Sequence, residues 1–467
     1  MSEGIAQRPA FDELRAGFAG DVLTESDAGY EEARKIFNAA IESRPRVIAR
    51  CARVDDVKAA LVYARTNELA IAVRGGGHSV AGASLVDGGV VIDLRGLNSV
   101  VVDPQARTAT VGGGTVWGEL DKATQPHGLA VTGGRVSTTG VAGLTLGGGS
   151  GWLERAFGLA ADNLLSVDLI TADGREVTAN ATENPDLFWA LHGGGGNFGI
   201  ATSLTFRLHP LPAFAMALLL WPAEKGREVA GRYRDLIELA PDEIGGGLLY
   251  LTGPPEEFVP EHMVDQLCCG VLVTCVGTEA ELLRQISGLL ELRPEGQVIT
   301  EIPYAELQCM LDDPPGFRNY WSAEYLDELP DEALDRFCET ASLMVVPSPS
   351  QHALLPWGGA VARNAGTDAM GKRDARWVVH PLGLWADPAD DDKARHWART
   401  IAEQMRPWTT GGLYLNFVGD EGLERVIAGY GQVNYDRLSR VKAAFDPDNV
   451  FNRWHNVLPA TDPTLRA

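Results

Sequence analysis

The sequence predicts an α+β protein with two lobes, and three observations carry that prediction. The chain has 467 residues, which is more than a single hydrophobic core usually supports. Short β-rich runs alternate with helical ones in the first half, whereas longer amphipathic helices stand between strands from about residue 213 to 410. The change falls at His209-Pro210-Leu211-Pro212, so we expect a domain boundary near residue 210.

The first half carries the shorter elements. Helical spacing of apolar residues predicts helices over 27–38 and 54–67, and the second begins with an acidic pair that suits a helix N-terminus. Two strands on either side of Asp173-Gly174 predict a hairpin. A short helix is expected over 185–191. The predicted strands lie at 47–49, 71–73, 90–94, 108–111, 164–171, 176–178 and 200–208.

The second half predicts a central region with fewer glycines and longer helices. Amphipathic helices are expected over 227–239 and 279–290, with a strand near 271–273. From about residue 411 the chain returns to a compact pattern. Its last predicted helix covers 435–445 and is followed by Asp446-Pro447.

Charge and composition exclude several classes of partner. The formal net charge is −23, which repels nucleic acid and anionic lipid. The longest apolar candidate, 211–221, is too short to span a bilayer, and the first residues lack a signal-peptide pattern. We therefore expect a cytoplasmic protein that binds neither nucleic acid nor membrane. The sequence carries no signal for an oligomeric state.

Metal chemistry is also disfavoured. The six cysteines form no Cys-x-x-Cys pair, and the nine histidines show no ligand spacing. We predict no metal site, and we expect the cysteines to be buried free thiols.

The most informative feature is the turn Arg74-Gly75-Gly76-Gly77-His78-Ser79, which follows a predicted strand. Glycines let the backbone adopt positive φ and approach a ligand closely. Successive amide groups in such a turn can bind an anion such as a pyrophosphate. The histidine at its end places a nucleophile beside that ligand.

Other glycine clusters could indicate a dinucleotide fold, but their context argues against it. The one G-x-G-x-x-G run, at 194–199, follows a predicted helix and precedes a strand, the reverse of the phosphate-binding order. The chain contains no Walker motif, no G-x-S-x-G elbow and no H-E-x-x-H motif. We therefore favour the interpretation that several glycine turns in one domain wrap a single long, flat, polyanionic cofactor.

With further motifs the chain resembles the FAD-linked oxidases of the berberine bridge enzyme type, which have the vanillyl-alcohol-oxidase (PCMH) fold. Within that family it resembles the bacterial branch that includes the 6-hydroxynicotine oxidases. Besides the glycine-histidine turn, the motifs that carry the resemblance are 133–149, 158–163, 184–190, 194–199, 434–438 and 446–451.

The resemblance implies an FAD-binding domain built from both chain ends, 1–210 and 411–467, and a central substrate domain, 211–410, on an antiparallel sheet flanked by helices. It assigns to His78 a covalent bond to the flavin. Relatives often add a cysteinyl bond, but Val136 stands at that position, so we expect a single covalent link. The cofactor-binding residues implied are Arg74, Gly75, Gly76, Gly77, His78, Ser79, Ser137, Thr138, Thr139, Gly140, Gly143, Gly148, Asn163, Ile200 and Asn456.

The catalytic residues are less determined by the resemblance. Relatives often use the second tyrosine of a Tyr-x-Asn-Tyr strand as a base, and Phe417 takes that place here. The titratable candidates that remain are Tyr250, His352, His380 and Tyr414. Thr139 matches the position beside the reactive edge of the flavin, where its hydroxyl would bear on the reaction with O2.

The resemblance implies oxidation of a small hydroxylated or amine-bearing molecule by hydride transfer to flavin, with O2 reduced to H2O2. Substrate is expected between the flavin and the central sheet, near Tyr250, Trp321, His380 and Tyr414. An oxygenase, a dehydrogenase with another acceptor and a non-catalytic flavin-binding protein are the alternatives.

Overall fold

A computed structural model describes residues 11–310, 312 and 315–461. The N-terminal part contains a four-stranded sheet in the order Asp21–Leu23, Val47–Arg50, Val90–Asp93, Ile71–Arg74. Strand 90–93 pairs parallel with both 47–50 and 71–74, and the edge strand 21–23 pairs antiparallel with 47–50. Helix Val54–Thr66 packs on this sheet through an apolar face that includes Val57, Ala60 and Leu61.

A second, five-stranded sheet is antiparallel throughout. Its strands are ordered Val100–Asp103, Thr108–Gly112, Ile200–Arg207, Leu164–Ile170, Glu176–Asn180. The predicted hairpin is observed, with Ile170 opposite Glu176 across the turn.

The central part of the chain forms an eight-stranded antiparallel sheet. Seven strands follow the order Gly296–Glu301, Ala215–Pro222, Leu267–Cys275, Ile244–Thr252, Gln351–Pro356, Trp377–Trp385, Arg318–Trp321, and the eighth, Glu324–Leu326, also pairs with 377–385. Four helices cover one face of this sheet through a shared apolar core. They are Gly226–Leu239, Glu279–Leu290, Asp331–Ala341 and Asp391–Met405.

Shorter elements complete the structure. Strands Leu129–Ala130 and His209–Pro210 pair with each other. The other α-helices are Phe11–Gly17, Tyr30–Ala33, Trp117–Thr124, Val141–Leu146, Glu154–Phe157, Pro185–Ala190, Tyr304–Met310, Ala360–Arg363, Leu423–Tyr430 and Gln432–Phe445. The 3-10 turns are Gln125–His127, Ala161–Asn163, Gly195–Asn197, Ala223–Lys225, Glu261–Met263, Pro388–Asp390, Arg406–Trp408 and Leu415–Phe417.

The last helix fastens the C-terminal segment to the N-terminal part. The Lys442 ammonium is fully buried and donates to the carboxylate of Asp446 at 2.5 Å and to the carbonyl oxygens of Asn197 and Phe451 at 2.7 Å. A buried charge is tolerated only when it is paired and hydrogen-bonded in this way. Residues 442–451 are therefore held beside the glycine run that precedes the strand Ile200–Arg207.

Two expectations about local structure need correction. The helix predicted over 27–38 is observed only as Tyr30–Ala33. Its remaining residues serve tertiary contacts, because the Phe37 amide donates to the Gly77 carbonyl and the Asn38 amide group donates to the carbonyls of Val80 and Asn319. Not all cysteines are buried, since Cys309 is exposed and Cys338 is half-buried.

Within the part of the chain that the structure describes, no helix is both long and apolar enough to cross a bilayer.

Candidate active site

Two glycine turns meet backbone to backbone at the centre of the site. A Cβ atom on Gly76 would lie 2.2 Å from the Gly140 amide nitrogen, and one on Gly140 would lie 2.3 Å from the Gly76 amide nitrogen. Real Cβ atoms do not approach backbone so closely. The contact itself therefore requires glycine at positions 76 and 140. Position 77 also requires glycine, because its backbone φ is +80°.

His78 projects from this junction. Its Nε2 lies 2.8 Å from the Thr138 hydroxyl, and its Nδ1 lies 3.5 Å from the Thr139 hydroxyl. The ring stacks on Phe37 with the centroids 4.2 Å apart. Burial, together with the charge of Arg74, lowers the pKa of His78 to about 4. The imidazole is therefore held in one orientation and is neutral, hence nucleophilic, at neutral pH.

A cavity of about 610 Å³ opens beside His78 and extends to the central sheet. Gly143 and Gly196 line it, and a Cβ on either would meet nothing within 4 Å. These glycines leave backbone bare toward the cavity, as the binding of a polyanion requires. Of the predicted cofactor-binding residues, the structure brings to its wall Gly75, Gly76, Gly77, His78, Ser79, Thr139, Gly140 and Gly143, together with Val136.

The arrangement fits FAD by its own chemistry. The glycine turns offer backbone amides at one end, while the other end is apolar and aromatic, which suits a flat ring. The Oδ1 of Asn456 is buried and has no hydrogen-bond partner among the described residues. Its neighbours Trp454 and His455 line the cavity, and a buried polar atom is normally paired.

Two of the predicted cofactor-binding residues use their polar groups in contacts within the protein. The Arg74 guanidinium is buried beneath Gly77 and donates to the carbonyls of Ala33 and Lys35. Ser137 donates through its amide and hydroxyl to the Asp312 carboxylate, at 2.6 and 2.5 Å.

Five further predicted residues lie off the cavity wall, namely Thr138, Gly148, Asn163, Ile200 and Asn456. Asn163 donates to the carbonyls of Phe157 and Leu159 and pairs through Oδ1 with His209. Ile200 points into the core of the four-stranded sheet, although its neighbours Gly199 and Ala201 line the cavity. Gly148 lies against the side chains of Met370 and Tyr414, and Thr138 reaches the site only through its bond to His78.

Two of the candidate bases lie on the wrong face of the central sheet. Side chains alternate along a strand, and Leu249 and Leu251 face the cavity, so Tyr250 between them faces the helices. His352 lies on the same covered face and stacks on Phe337 with the ring centroids 4.0 Å apart. Neither residue can reach a substrate in the cavity.

Tyr414 is also excluded as a base. It is buried, and its hydroxyl oxygen accepts from the amides of Gly149 and Ser150 at 2.7 and 3.0 Å and from the Asn416 amide group at 2.9 Å. Burial raises its pKa to about 12. Its role is to shape the loop at 147–150 behind the cavity wall.

His380 is the candidate base that the structure brings to the cavity. Its Nδ1 lies 2.8 Å from the Ser322 carbonyl oxygen, which fixes the proton there and leaves Nε2 with its lone pair. The ring stacks on Phe417 with centroids 4.1 Å apart and planes 6° from parallel. Burial, assisted by Arg135, lowers the pKa of His380 to about 3, so the imidazole is neutral across the physiological range.

Arg135 is a site residue that the sequence analysis missed. Its guanidinium lines the cavity, donates to the Glu154 carboxylate and the Ser150 hydroxyl at 2.8 Å each, and lies 4.9 Å from the Trp152 ring centroid. The signal was available, because Arg135 is the only charged residue in the glycine-rich run 133–149.

Comparisons with known proteins agree with this architecture. The family model described as "FAD binding domain" matches residues 45–180, and that described as "Berberine and berberine like" matches residues 413–457. An uncharacterised FAD-linked oxidoreductase of Bacillus subtilis, YgaK, is 30% identical over 94% of this chain and 97% of its own. The (R)-6-hydroxynicotine oxidase of Paenarthrobacter nicotinovorans is 31% identical over 94% of this chain and 97% of its own.

A crystal structure of 6-hydroxy-D-nicotine oxidase from Arthrobacter nicotinovorans superposes with a TM-score of 0.84 and 28% identity, covering 95% of this chain and 98% of that one. The predicted fold class is thereby confirmed.

The contact between the glycine turns predicts a sharp difference between two alanine substitutions. Gly76→Ala is expected to destabilise the protein by about 1–3 kcal/mol, because the new Cβ must displace the backbone at Gly140. Gly17→Ala, where a Cβ meets nothing within 4 Å, should change stability by less than about 0.5 kcal/mol. Urea denaturation measures both, and equal stabilities would contradict the contact.

Proposed function

The chain belongs to the FAD-linked oxidoreductases of the berberine bridge enzyme type, and on that premise we propose that it is an oxidase with FAD bound covalently through His78. It oxidises a small hydroxylated or amine-bearing molecule and passes the electrons to O2, which becomes H2O2. The observation that carries the proposal is the neutral, fixed imidazole of His78 on the wall of the cavity.

We propose a single covalent link because, of the two positions at which relatives bond the flavin, only His78 carries a nucleophile. In the proposed bond a nitrogen of His78 would replace one hydrogen of the flavin 8α-methyl group, and the two protons and two electrons released would convert O2 to H2O2. Val136 lines the same cavity and carries no nucleophile, so no second bond forms there. The tether retains the cofactor and raises its reduction potential.

The proposed division of the chain follows from the same assignment. Residues 1–210 and 411–467 bind FAD, and residues 211–410 bind substrate. The family matches at 45–180 and 413–457 support the first part, and the cavity-facing strands of the eight-stranded sheet support the second.

We assign the proton transfer to His380. Bound FAD supplies the hydride acceptor, and the protein supplies the base. The lone pair on Nε2 accepts the proton of the substrate hydroxyl or amine while the hydride leaves the adjacent carbon, which yields a carbonyl or an imine. Phe417 supports this imidazole by stacking, in the position where relatives often have a tyrosine.

Thr139 favours a flavin-dependent oxygenase as the competing class of enzyme. Its hydroxyl lines the cavity beside His78, where it would bear on the reaction with O2. An oxidase produces one H2O2 for each substrate molecule oxidised, whereas an oxygenase or a dehydrogenase with another acceptor produces less. The ratio of H2O2 to product therefore decides between them, and flavin that substrate never reduces would indicate a non-catalytic flavin-binding protein.

The covalent link predicts the fate of the colour on acid precipitation. The wild-type pellet should stay yellow, whereas His78→Ala should release its flavin into the supernatant, because no bond holds it. His127→Ala, which alters an exposed histidine, should behave as wild type. Flavin released from the wild-type protein would contradict the link.

We expect an enzyme that lacks the proposed base to turn over slowly but to keep its covalently bound flavin. His380→Asn should lower kcat about 10²-fold, the lower end of the range for general bases, because the pKa of His380 lies well below the working pH, and should leave the acid-stable flavin in place. His396→Asn, at an exposed position, serves as the control. An undiminished kcat in His380→Asn would remove this residue from the reaction.

The pH profile provides an independent check on His380. With a pKa of about 3, the residue is protonated only in strong acid, so the base form persists as pH falls from about 8 to 5. We expect kcat/KM to show no acid limb near 6.5, the ordinary value for histidine. An acid limb at that pH that disappears in His380→Asn would contradict the environment described for this imidazole.

A further inference from the structure

The central sheet presents an almost entirely aliphatic surface to the cavity. Alternation along the strands sends Leu248 and Tyr250 toward the covering helices and leaves Leu249 and Leu251 toward the cavity. The same alternation operates on the neighbouring strands. The aliphatic residues facing the cavity there include Leu218, Leu272, Val298 and Leu382.

Hydrogen-bonding groups are rare on this face. Of the described side chains that the eight-stranded sheet directs into the cavity, those able to hydrogen-bond are Gln351, His380 and the indole N–H of Trp321. All three lie on the strands 351–356, 377–385 and 318–321, toward one edge of the sheet. The four strands beyond them, out to Gly296–Glu301, contribute only leucine and valine.

This distribution separates a polar end from an apolar end. The strand of His380 lies five strand spacings from the strand of Val298, which corresponds to roughly 24 Å. Along the sheet, the side chains that line the cavity are therefore hydrogen-bonding near the proposed base and aliphatic away from it, and the exposed Glu256, on the loop after strand Ile244–Thr252, lies at the rim of the aliphatic part.

Such a surface discriminates strongly between substrate classes. Each hydroxyl group buried without a hydrogen bond weakens binding about 5- to 150-fold, so a sugar that laid several hydroxyls on these leucines would lose its affinity. An apolar body gains about fourfold in affinity for each methylene group buried. This face therefore binds extended apolar molecules more tightly than oligosaccharides.

We propose that the substrate of this enzyme is an elongated, largely apolar molecule that places one hydroxyl or amine group at His380 and lays its apolar body across Leu249, Leu272 and Val298. The proposal rests on the function proposed above and specifies its substrate class. It identifies Leu249 and Leu218, which are half-buried and lie on the two strands that flank Leu267–Cys275, as specificity-determining residues.

The test measures binding without turnover, by isothermal titration calorimetry of the flavin-loaded protein under nitrogen. The probes are 4-alkylphenols from ethyl to hexyl, and xylobiose. We expect Kd to fall about fourfold for each added methylene, which is the fold-change that 0.8 kcal/mol gives, and we expect no binding of xylobiose at millimolar concentration. A Kd independent of chain length, or xylobiose bound more tightly than the phenols, would overturn the proposal.

Variants locate the effect on the sheet. Leu249→Asn and Leu218→Asn should each weaken binding of the hexyl probe at least tenfold with a smaller effect on the ethyl probe, and Leu249→Met should retain the dependence on chain length. Leu239→Asn, at a position that is 89% exposed, is the matched control and should bind as wild type. An Asn variant that folds and binds the hexyl probe as tightly as wild type would place the apolar surface elsewhere.

The outcome separates this proposal from the function it rests on. Chain-length-dependent binding with no flavin reduction by any alcohol or amine would contradict the oxidase but leave the substrate class standing. Rapid reduction of the flavin by oligosaccharides would contradict the substrate class but leave the oxidase standing.

Discussion

The backbone contact between Gly76 and Gly140 is the constraint on which the rest of the site depends. It joins the turn after strand Ile71–Arg74 to the start of helix Val141–Leu146 with no side chain between them. The contact positions His78 against Thr138 and Thr139 on one side and Phe37 on the other. A side chain at either glycine would separate the two segments and move the imidazole from the cavity wall. The covalent chemistry proposed for His78 is thus a consequence of packing that involves backbone alone.

The second organising feature is the two-sided central sheet. One face is covered by helices and forms a closed core, and the other face is turned toward the glycine turns. Because each strand contributes alternate residues to the two faces, the lining of the cavity and the closed core are encoded by interleaved positions. His380 and Leu382 face the cavity, whereas Val379 lies in the helix-covered core.

The sequence predicted the parts of the site that depend on local backbone chemistry. The glycine-histidine turn, the glycine run at 133–149 and the absence of a nucleophile at Val136 could be interpreted without tertiary information. The face of the central sheet that each strand residue occupies could not be predicted in this way. Tyr250 and His352 were reasonable bases by residue type, but which face they occupy depends on where the helices pack. Asn163 was a plausible cofactor contact, yet both of its amide protons go to nearby carbonyls. Arg135 was missed because its neighbours in the run were interpreted for their backbone alone.

The most direct test of the account is mass spectrometry of tryptic peptides from the acid-denatured protein. Cleavage after Arg74 and Arg95 releases the peptide 75–95, and cleavage after Arg135 and Arg155 releases the peptide 136–155. The account predicts the mass and visible absorbance of flavin on the first peptide, with fragmentation assigning it to His78, and no flavin on the second. Flavin on the peptide 136–155, or on neither peptide, would contradict it.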